Sequence, residues 1–110
     1  MPKLSLSVSA TVILQAVASG YPYGFDIMDV TGLPSGTVYP ALRRLEANGL
    51  VTSRWEDARD AQKLQRPPRK YYEMTTEGDA ALAEALRRYR ILDRTGAALE
   101  RRAKPSRGEA

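Results

Sequence analysis

The segment SGTVYPALRRLEAN, residues 35–48, decides the fold of this 110-residue chain. Pro34 and Ser35 signal a helix start, because proline suits a first turn and a serine hydroxyl can accept a hydrogen bond from an early backbone amide. Asn48 and Gly49 are the matching stop signals. We therefore predict a helix over Ser35–Asn48, with the remaining elements arranged to support it.

The predicted helix has two distinct faces. Apolar residues at helical spacing form a narrow stripe that must face a core: Val38, Ala41, Leu42 and Leu45. The opposite face carries small residues between longer polar ones: Gly36, Pro40 and Ala47, flanked by Thr37, Tyr39, Arg43 and Arg44. Because Pro40 lacks an amide and clashes with the carbonyl of Gly36, it should loosen the first turn. This face suits a polyanion, although a merely solvated charged face is the plain alternative.

Composition limits the functions that the chain can have. Seventeen basic and thirteen acidic residues give a net charge of +4 and a pI of about 9.6, which makes an anionic partner plausible. The chain has no cysteine and no histidine, so thiol nucleophiles, imidazole bases and the usual zinc sites are excluded. We therefore expect a single-domain binding protein, with an enzyme the least favoured class. No apolar run of membrane-spanning length occurs, and a reducing, cytoplasmic compartment is the natural interpretation.

Two further helices are predicted before residue 35. The first covers Ser5–Ala18, after a loose arm at residues 1–4, and its apolar residues surround much of its circumference. The second covers residues 23–30, after an aromatic corner in which Gly24 allows close packing, and ends at a short turn containing Gly32. This is the order of a helix-turn-helix motif, although a plain three-helix unit shares it.

Two strands follow the predicted third helix. Leu50–Trp55 and Arg69–Met74 have strand composition, and they enclose thirteen mostly polar residues, 56–68, without an apolar period. We predict a long hairpin loop, the form of a DNA-binding wing.

The basic residues of this hairpin fall into two groups. Residues 54–70 contain six basic and three acidic residues, a net charge of +3. Arg59 and Lys63 lie beside aspartates and are expected to be solvated. Arg66, Arg69 and Lys70 have no such neighbours in the sequence, and we expect them to contact a DNA backbone.

Four segments together resemble the PadR family of bacterial transcriptional regulators. They are Tyr-Gly-Phe-Asp-Ile at 23–27, Gly-Thr-Val-Tyr-Pro-Ala-Leu-Arg-Arg-Leu-Glu at 36–46, Gly-Leu-Val at 49–51 and Arg-Lys-Tyr-Tyr-Glu-Met-Thr-Thr-Glu-Gly at 69–78. The resemblance covers residues 6 to 90. It implies a mainly α, α+β fold, a winged helix-turn-helix with a C-terminal dimerisation helix, and repression from an inverted-repeat operator of double-stranded DNA.

The resemblance also implies positions for the DNA contacts. The family's reading helix falls on Ser35–Asn48, and its second wing strand includes Arg69 and Lys70. With the residue-based argument, the candidate DNA-binding residues are Ser35, Gly36, Thr37, Tyr39, Pro40, Arg43, Arg44, Arg66, Arg69 and Lys70. No cofactor or metal is implied. The resemblance also implies that a flat aromatic effector can bind between the last helices and the wing domains. The predicted helices contain no tryptophan, since the only one, Trp55, lies in a strand. An aromatic effector in a cleft near Tyr89 and Trp55 stays an open alternative.

The last helix is predicted to begin after a Thr75 cap and to mediate homodimerisation. Its apolar residues follow a three-four spacing typical of a coiled-coil seam, and the predicted interface is Leu82, Ala85, Leu86, Tyr89, Leu92, Gly96 and Leu99. Leu86 adds width, so part of the helix can also pack on its own wing domain. The predicted organisation is a DNA-binding domain at 1–76, a dimerisation helix at 77–103 and a disordered basic tail at 104–110. A competing interpretation is a protein-interaction module that uses this helix, with an incidental basic wing.

Overall fold

The computed structural model describes residues 5–90, which form five helices and a two-stranded sheet. In chain order the elements are α1 (Val8–Ala18), α2 (Gly24–Thr31), α3 (Ser35–Ala47), β1 (Val51–Trp55), α4 (Ala58–Lys63), β2 (Lys70–Met74) and α5 (Thr76–Arg88). The α+β class predicted from the sequence is confirmed. The predictions for the loose arm at 1–4, for Leu92, Gly96 and Leu99, and for the basic tail lie outside the described residues.

Helix α1 is the centre of the core. It begins at Val8 rather than Ser5, because the hydroxyl of Ser7 accepts a hydrogen bond from the Ala10 amide at 3.1 Å and caps the helix. Residues 13–17 are all buried, as is Thr11, which confirms a helix covered on more than one side. Helices α2, α3 and α5 and strand β2 all pack against it.

The helix-turn-helix turn joins α2 to α3. Gly32 ends α2 with a φ of +74°, a left-handed conformation that glycine adopts without strain. The apolar stripe of α3 is buried as predicted: Val38, Ala41, Leu42 and Leu45 are at most 3% exposed. This burial fixes the rotation of α3 and turns its other face away from the core.

Strands β1 and β2 form an antiparallel hairpin with register Val51↔Met74 to Trp55↔Lys70. The expectation of a connection without regular structure is wrong, since α4 lies within it. The Asp57 side chain accepts from the Arg59 amide at 2.7 Å and caps α4, and Ala61 is fully buried. A helix of six residues needs only one apolar anchor, so it leaves no apolar period in the sequence.

Helix α5 is fastened to the residues that connect α3 to β1. The Thr75 hydroxyl accepts from the Gly78 amide at 2.9 Å, which confirms the predicted cap, and donates to the Gly49 carbonyl at 2.7 Å. Leu82 and Ala85, predicted to meet a second copy, are 9% and 3% exposed and lie in the chain's own core. Leu86 and Tyr89 are partly buried against that core, and the Tyr89 hydroxyl donates to the Leu6 carbonyl at 2.9 Å. The described part of α5 therefore shares one core with the wing domain.

None of the helices in residues 5–90 has the length and apolar character needed to cross a membrane. Within the same residues, no cluster of acidic side chains is arranged to hold a metal ion.

Candidate nucleic-acid interface

The face of α3 opposite its buried stripe is open to solvent in the described chain. Ser35, Gly36, Tyr39, Arg43 and Arg44 are exposed. Thr37 and Pro40 are half-buried, and α3 continues unbroken through the proline. The sequence-predicted residues of this helix are therefore brought together on an accessible surface.

The start of α3 differs from the prediction in one respect. Pro34, not Ser35, occupies the N-cap position, and no side chain caps the helix. The Pro34 carbonyl accepts from the amides of Thr37 and Val38 at 2.9 and 3.0 Å. Within residues 5–90 the amides of Ser35 and Gly36 have no acceptor, so they give this exposed end of α3 a partial positive charge.

Tyr39 is held in place by a glycine on the neighbouring helix. Its ring lies directly against Gly24, where an added Cβ would stand 2.8 Å from the ring carbon Cζ. The side chain is 38% exposed, so it is braced at one edge and accessible at the other. This contact confirms that Gly24 permits close packing at the aromatic corner.

The arginines of α3 are unpaired in the part of the chain that the structure describes. Neither Arg43 nor Arg44 forms an ion pair with a residue between 5 and 90. The first acidic side chain along this helix, Glu46, accepts a hydrogen bond from the Ser53 hydroxyl at 2.5 Å. Glu46 therefore joins α3 to the sheet, and the guanidinium groups keep their donors for another partner.

Arg69 and Lys70 lie at the base of the wing beside α3. The Arg69 guanidinium lies over the Tyr23 ring, 4.1 Å from its centroid, which fixes the direction of an exposed side chain. The Lys70 ammonium lies 6.0 Å from the centroid of Trp55 and 3.8 Å from a Glu46 oxygen. Lys70 was expected to have no acidic neighbour, and Glu46 corrects that expectation.

Arg66 also has an acidic partner, contrary to the prediction. Its two terminal nitrogens donate to the two carboxylate oxygens of Glu56 at 2.5 and 2.8 Å. The same carboxylate accepts from the Arg69 amide at 3.2 Å and from the Tyr23 hydroxyl at 3.4 Å. The Arg66 hydrogen bonds, with a smaller contribution from the Arg69 amide, lower the pKa of Glu56 to about 2. Sequence proximity could not reveal this pair, because ten residues separate its members.

A cleft of about 420 Å³ opens between α3, the start of α2 and the wing. Its lining is aromatic and basic, with no acidic residue: Tyr23, Gly24, Phe25, Tyr39, Arg43, Trp55, Pro68, Arg69, Lys70 and Tyr72. Phe25 and Trp55 are each 67% exposed, and the sequence had not identified either as a DNA-binding residue. In the sequence, only the aromatic character of Phe25 and Trp55 pointed to binding. Their exposure could not be predicted, because it depends on how three separate elements pack together.

Three packed helices, an exposed third helix and an antiparallel hairpin define a winged helix-turn-helix protein. The chain belongs to the Transcriptional regulator PadR-like family, whose sequence profile matches residues 13–84. It is therefore a DNA-binding transcriptional regulator by family.

Solved structures agree with this assignment. The chain is similar to a PadR family transcriptional regulator from Eggerthella lenta DSM 2243, with 31% identity, a TM-score of 0.57 and 82% of each chain covered. It shares its fold with a PadR family transcription regulator from hypervirulent Clostridium difficile R20291, with a TM-score of 0.66, 24% identity, and 81% of this chain and 94% of the other covered. No curated protein gives a significant match.

Proposed function

We propose that this protein is a sequence-specific regulator of transcription that binds double-stranded DNA as a homodimer and represses from an inverted-repeat operator. One observation carries the proposal: the arginines on the exposed face of α3 have no ion-pair partner among residues 5–90, and this face opens directly onto a cleft whose lining is basic and aromatic, with no acidic residue. A surface of that kind attracts a phosphate backbone, and an α-helix fits the major groove.

In this proposal α3 enters the major groove. Arg43 makes a bidentate contact with the O6 and N7 atoms of a guanine, since its planar guanidinium matches that pair of acceptors. Thr37 and Tyr39 contact a phosphate or a thymine methyl group. Gly36 and Pro40 lack long side chains, which lets the helix lie close to the base edges, and the exposed Ser35 amide faces a phosphate.

The wing holds the flanking backbone. Arg69 and Lys70 contact phosphates, and Arg44 does so on the other flank of α3. Arg66 contributes through Glu56, because this ion pair also engages the Arg69 amide and the Tyr23 hydroxyl and so fixes the wing against α2. Its role in DNA binding is therefore to position its neighbours.

The proposed dimer uses the last helix. An apolar groove of about 320 Å³ runs beside α5 and is bordered by Leu6, Leu50, Ala80, Ala81, Glu84, Ala85 and Arg88. It offers apolar surface to the last helix of a second copy, as a two-fold symmetric pairing requires. Because Leu82 and Ala85 are covered by their own chain, the proposed contacts move to Leu86, Tyr89 and the more distal Leu92, Gly96 and Leu99.

A footprint on the DNA upstream of its own gene, combined with light scattering, tests the proposal. We expect a dimer that protects two half-sites about one helical turn, roughly 34 Å, apart. A monomer that is indifferent to DNA would contradict the proposal and favour a protein-interaction module.

A further inference from the structure

Three of the large apolar side chains that are exposed in the described chain lie around one cleft. Phe25, Tyr39 and Trp55 line it, while the other two, Val8 and Leu64, lie elsewhere. The cations Arg43, Arg69 and Lys70 line the same cleft. Exposed aromatic rings interleaved with cations, in a lining that contains no acidic residue, indicate a partner that alternates between apolar and anionic groups.

We propose that this cleft seats one nucleotide unit of a DNA strand, with Phe25 and Trp55 packed against its deoxyribose and the cations against its two phosphates. The inference rests on the proposed DNA-binding function and adds two contact residues to it. A sugar-phosphate strand alternates between apolar ring carbons and charged phosphates, which matches the alternation of the lining. A volume of about 420 Å³ is adequate for one such unit.

Trp55 is well placed for this contact because its backbone is paired within the hairpin while its side chain is exposed. It ends β1 opposite Lys70, whose ammonium lies 6.0 Å from its ring centroid. Phe25 projects from the first turn of α2, next to the Gly24 contact with Tyr39. The two rings therefore stand on elements that pack against α3 and the wing, and a strand between those elements passes both.

The proposal predicts a distinctive energetic pattern. Deoxyribose is the same at every base pair, so losing either ring should weaken binding to all sequences alike. Neither ring carries a charge, so the dependence of affinity on salt should keep its slope. Removing Lys70 should instead reduce that slope, and this difference separates the two kinds of contact.

The experiment is a titration of the full-length protein with an operator duplex and an unrelated duplex over a range of salt concentrations. We expect Phe25→Ala and Trp55→Ala each to weaken binding by about 5- to 10-fold on both duplexes, somewhat less than full base stacking gives. Trp55→Phe should retain most of the affinity. Leu64→Ala is the matched control, because Leu64 is 63% exposed on the wing but does not line the cleft.

Intrinsic fluorescence provides a second readout, since Trp55 is the only tryptophan of the chain. Either duplex should shift its emission and protect it from acrylamide quenching. Unchanged emission and quenching at saturating DNA would overturn the inference, and so would wild-type affinity in both alanine variants. In either result the regulator proposal survives if the wild-type protein binds DNA; a wild type that binds neither duplex overturns both proposals.

Discussion

Gly78 is the position where one added methyl group should matter most for stability. It is buried in the first turn of α5 and lies against Leu50, the residue just before β1. A Cβ there would overlap the carbonyl oxygen of Leu50 and stand 3.0 Å from its carbonyl carbon. That carbonyl group is fixed, because the Leu50 amide donates to Leu45 at 2.9 Å and its oxygen accepts from the Thr75 amide at 3.3 Å. Gly78→Ala therefore forces α5 away from the core.

The expected loss of stability in Gly78→Ala combines two opposing contributions. Overpacking costs about 1–3 kcal/mol, and we take the upper end because the obstacle is backbone rather than a flexible side chain. Alanine recovers about 1 kcal/mol through its higher helix propensity. The net loss is about 2 kcal/mol, which for a domain of this size lowers Tm by about 8–16 °C.

Thermal unfolding followed by circular dichroism at the helix band measures this effect, with Gly36→Ala as the matched control. Gly36 also lies in a first helical turn, but its added Cβ would meet nothing within 4 Å. Gly36→Ala should raise Tm by up to about 4–8 °C while weakening DNA binding, because its methyl group lies on the proposed reading face. An unchanged or higher Tm for Gly78→Ala would refute the reasoning.

Three further predictions concern the wing and the dimer. Lys70→Ala should weaken binding to all DNA sequences equally and reduce the slope of log affinity against log salt by about 1, measured by titration; an unchanged slope would remove Lys70 from the backbone contacts. The pKa of Glu56 falls from 4.5 unfolded to about 2 in the fold, so its ion pair stabilises the protein above about pH 4.5 and loses this effect as the pH falls towards 2. Urea unfolding should accordingly show a stability gap between wild type and Glu56→Gln that closes on acidification, and a gap constant from pH 5 to pH 2 would contradict this. Leu86→Glu should convert the proposed dimer to a folded monomer in light scattering, whereas Ala83→Glu, at an exposed site on the same helix, should remain dimeric.

The sequence predicted those parts of the fold that depend on local pattern. The stripe of Val38, Ala41, Leu42 and Leu45 gave the rotation of α3, because helical spacing alone selects the buried face. The Thr75 cap and the two strands were likewise predicted from residues next to one another in the chain. In each case a short segment contained the whole signal.

Other features depend on residues that are distant in sequence. Arg66 and Glu56 form an ion pair although α4 separates them in the sequence, so no local pattern indicates the pair. Helix α4 has a single buried residue, so it shows no apolar period either. An apolar stripe does not specify which surface covers it, which is why Leu82 was assigned to a partner although its own chain buries it. The exposure of the cleft residues is likewise a product of tertiary packing.

The outward face of α3 is proposed to read bases in duplex DNA. The most direct test measures wild type and Arg43→Ala against an operator series in which each base pair is substituted in turn. We predict one G·C pair in each half-site whose substitution costs the wild type about 1–3 kcal/mol and costs Arg43→Ala nothing. If every substitution costs both proteins the same amount, Arg43 reads no base, and the account of this face is contradicted.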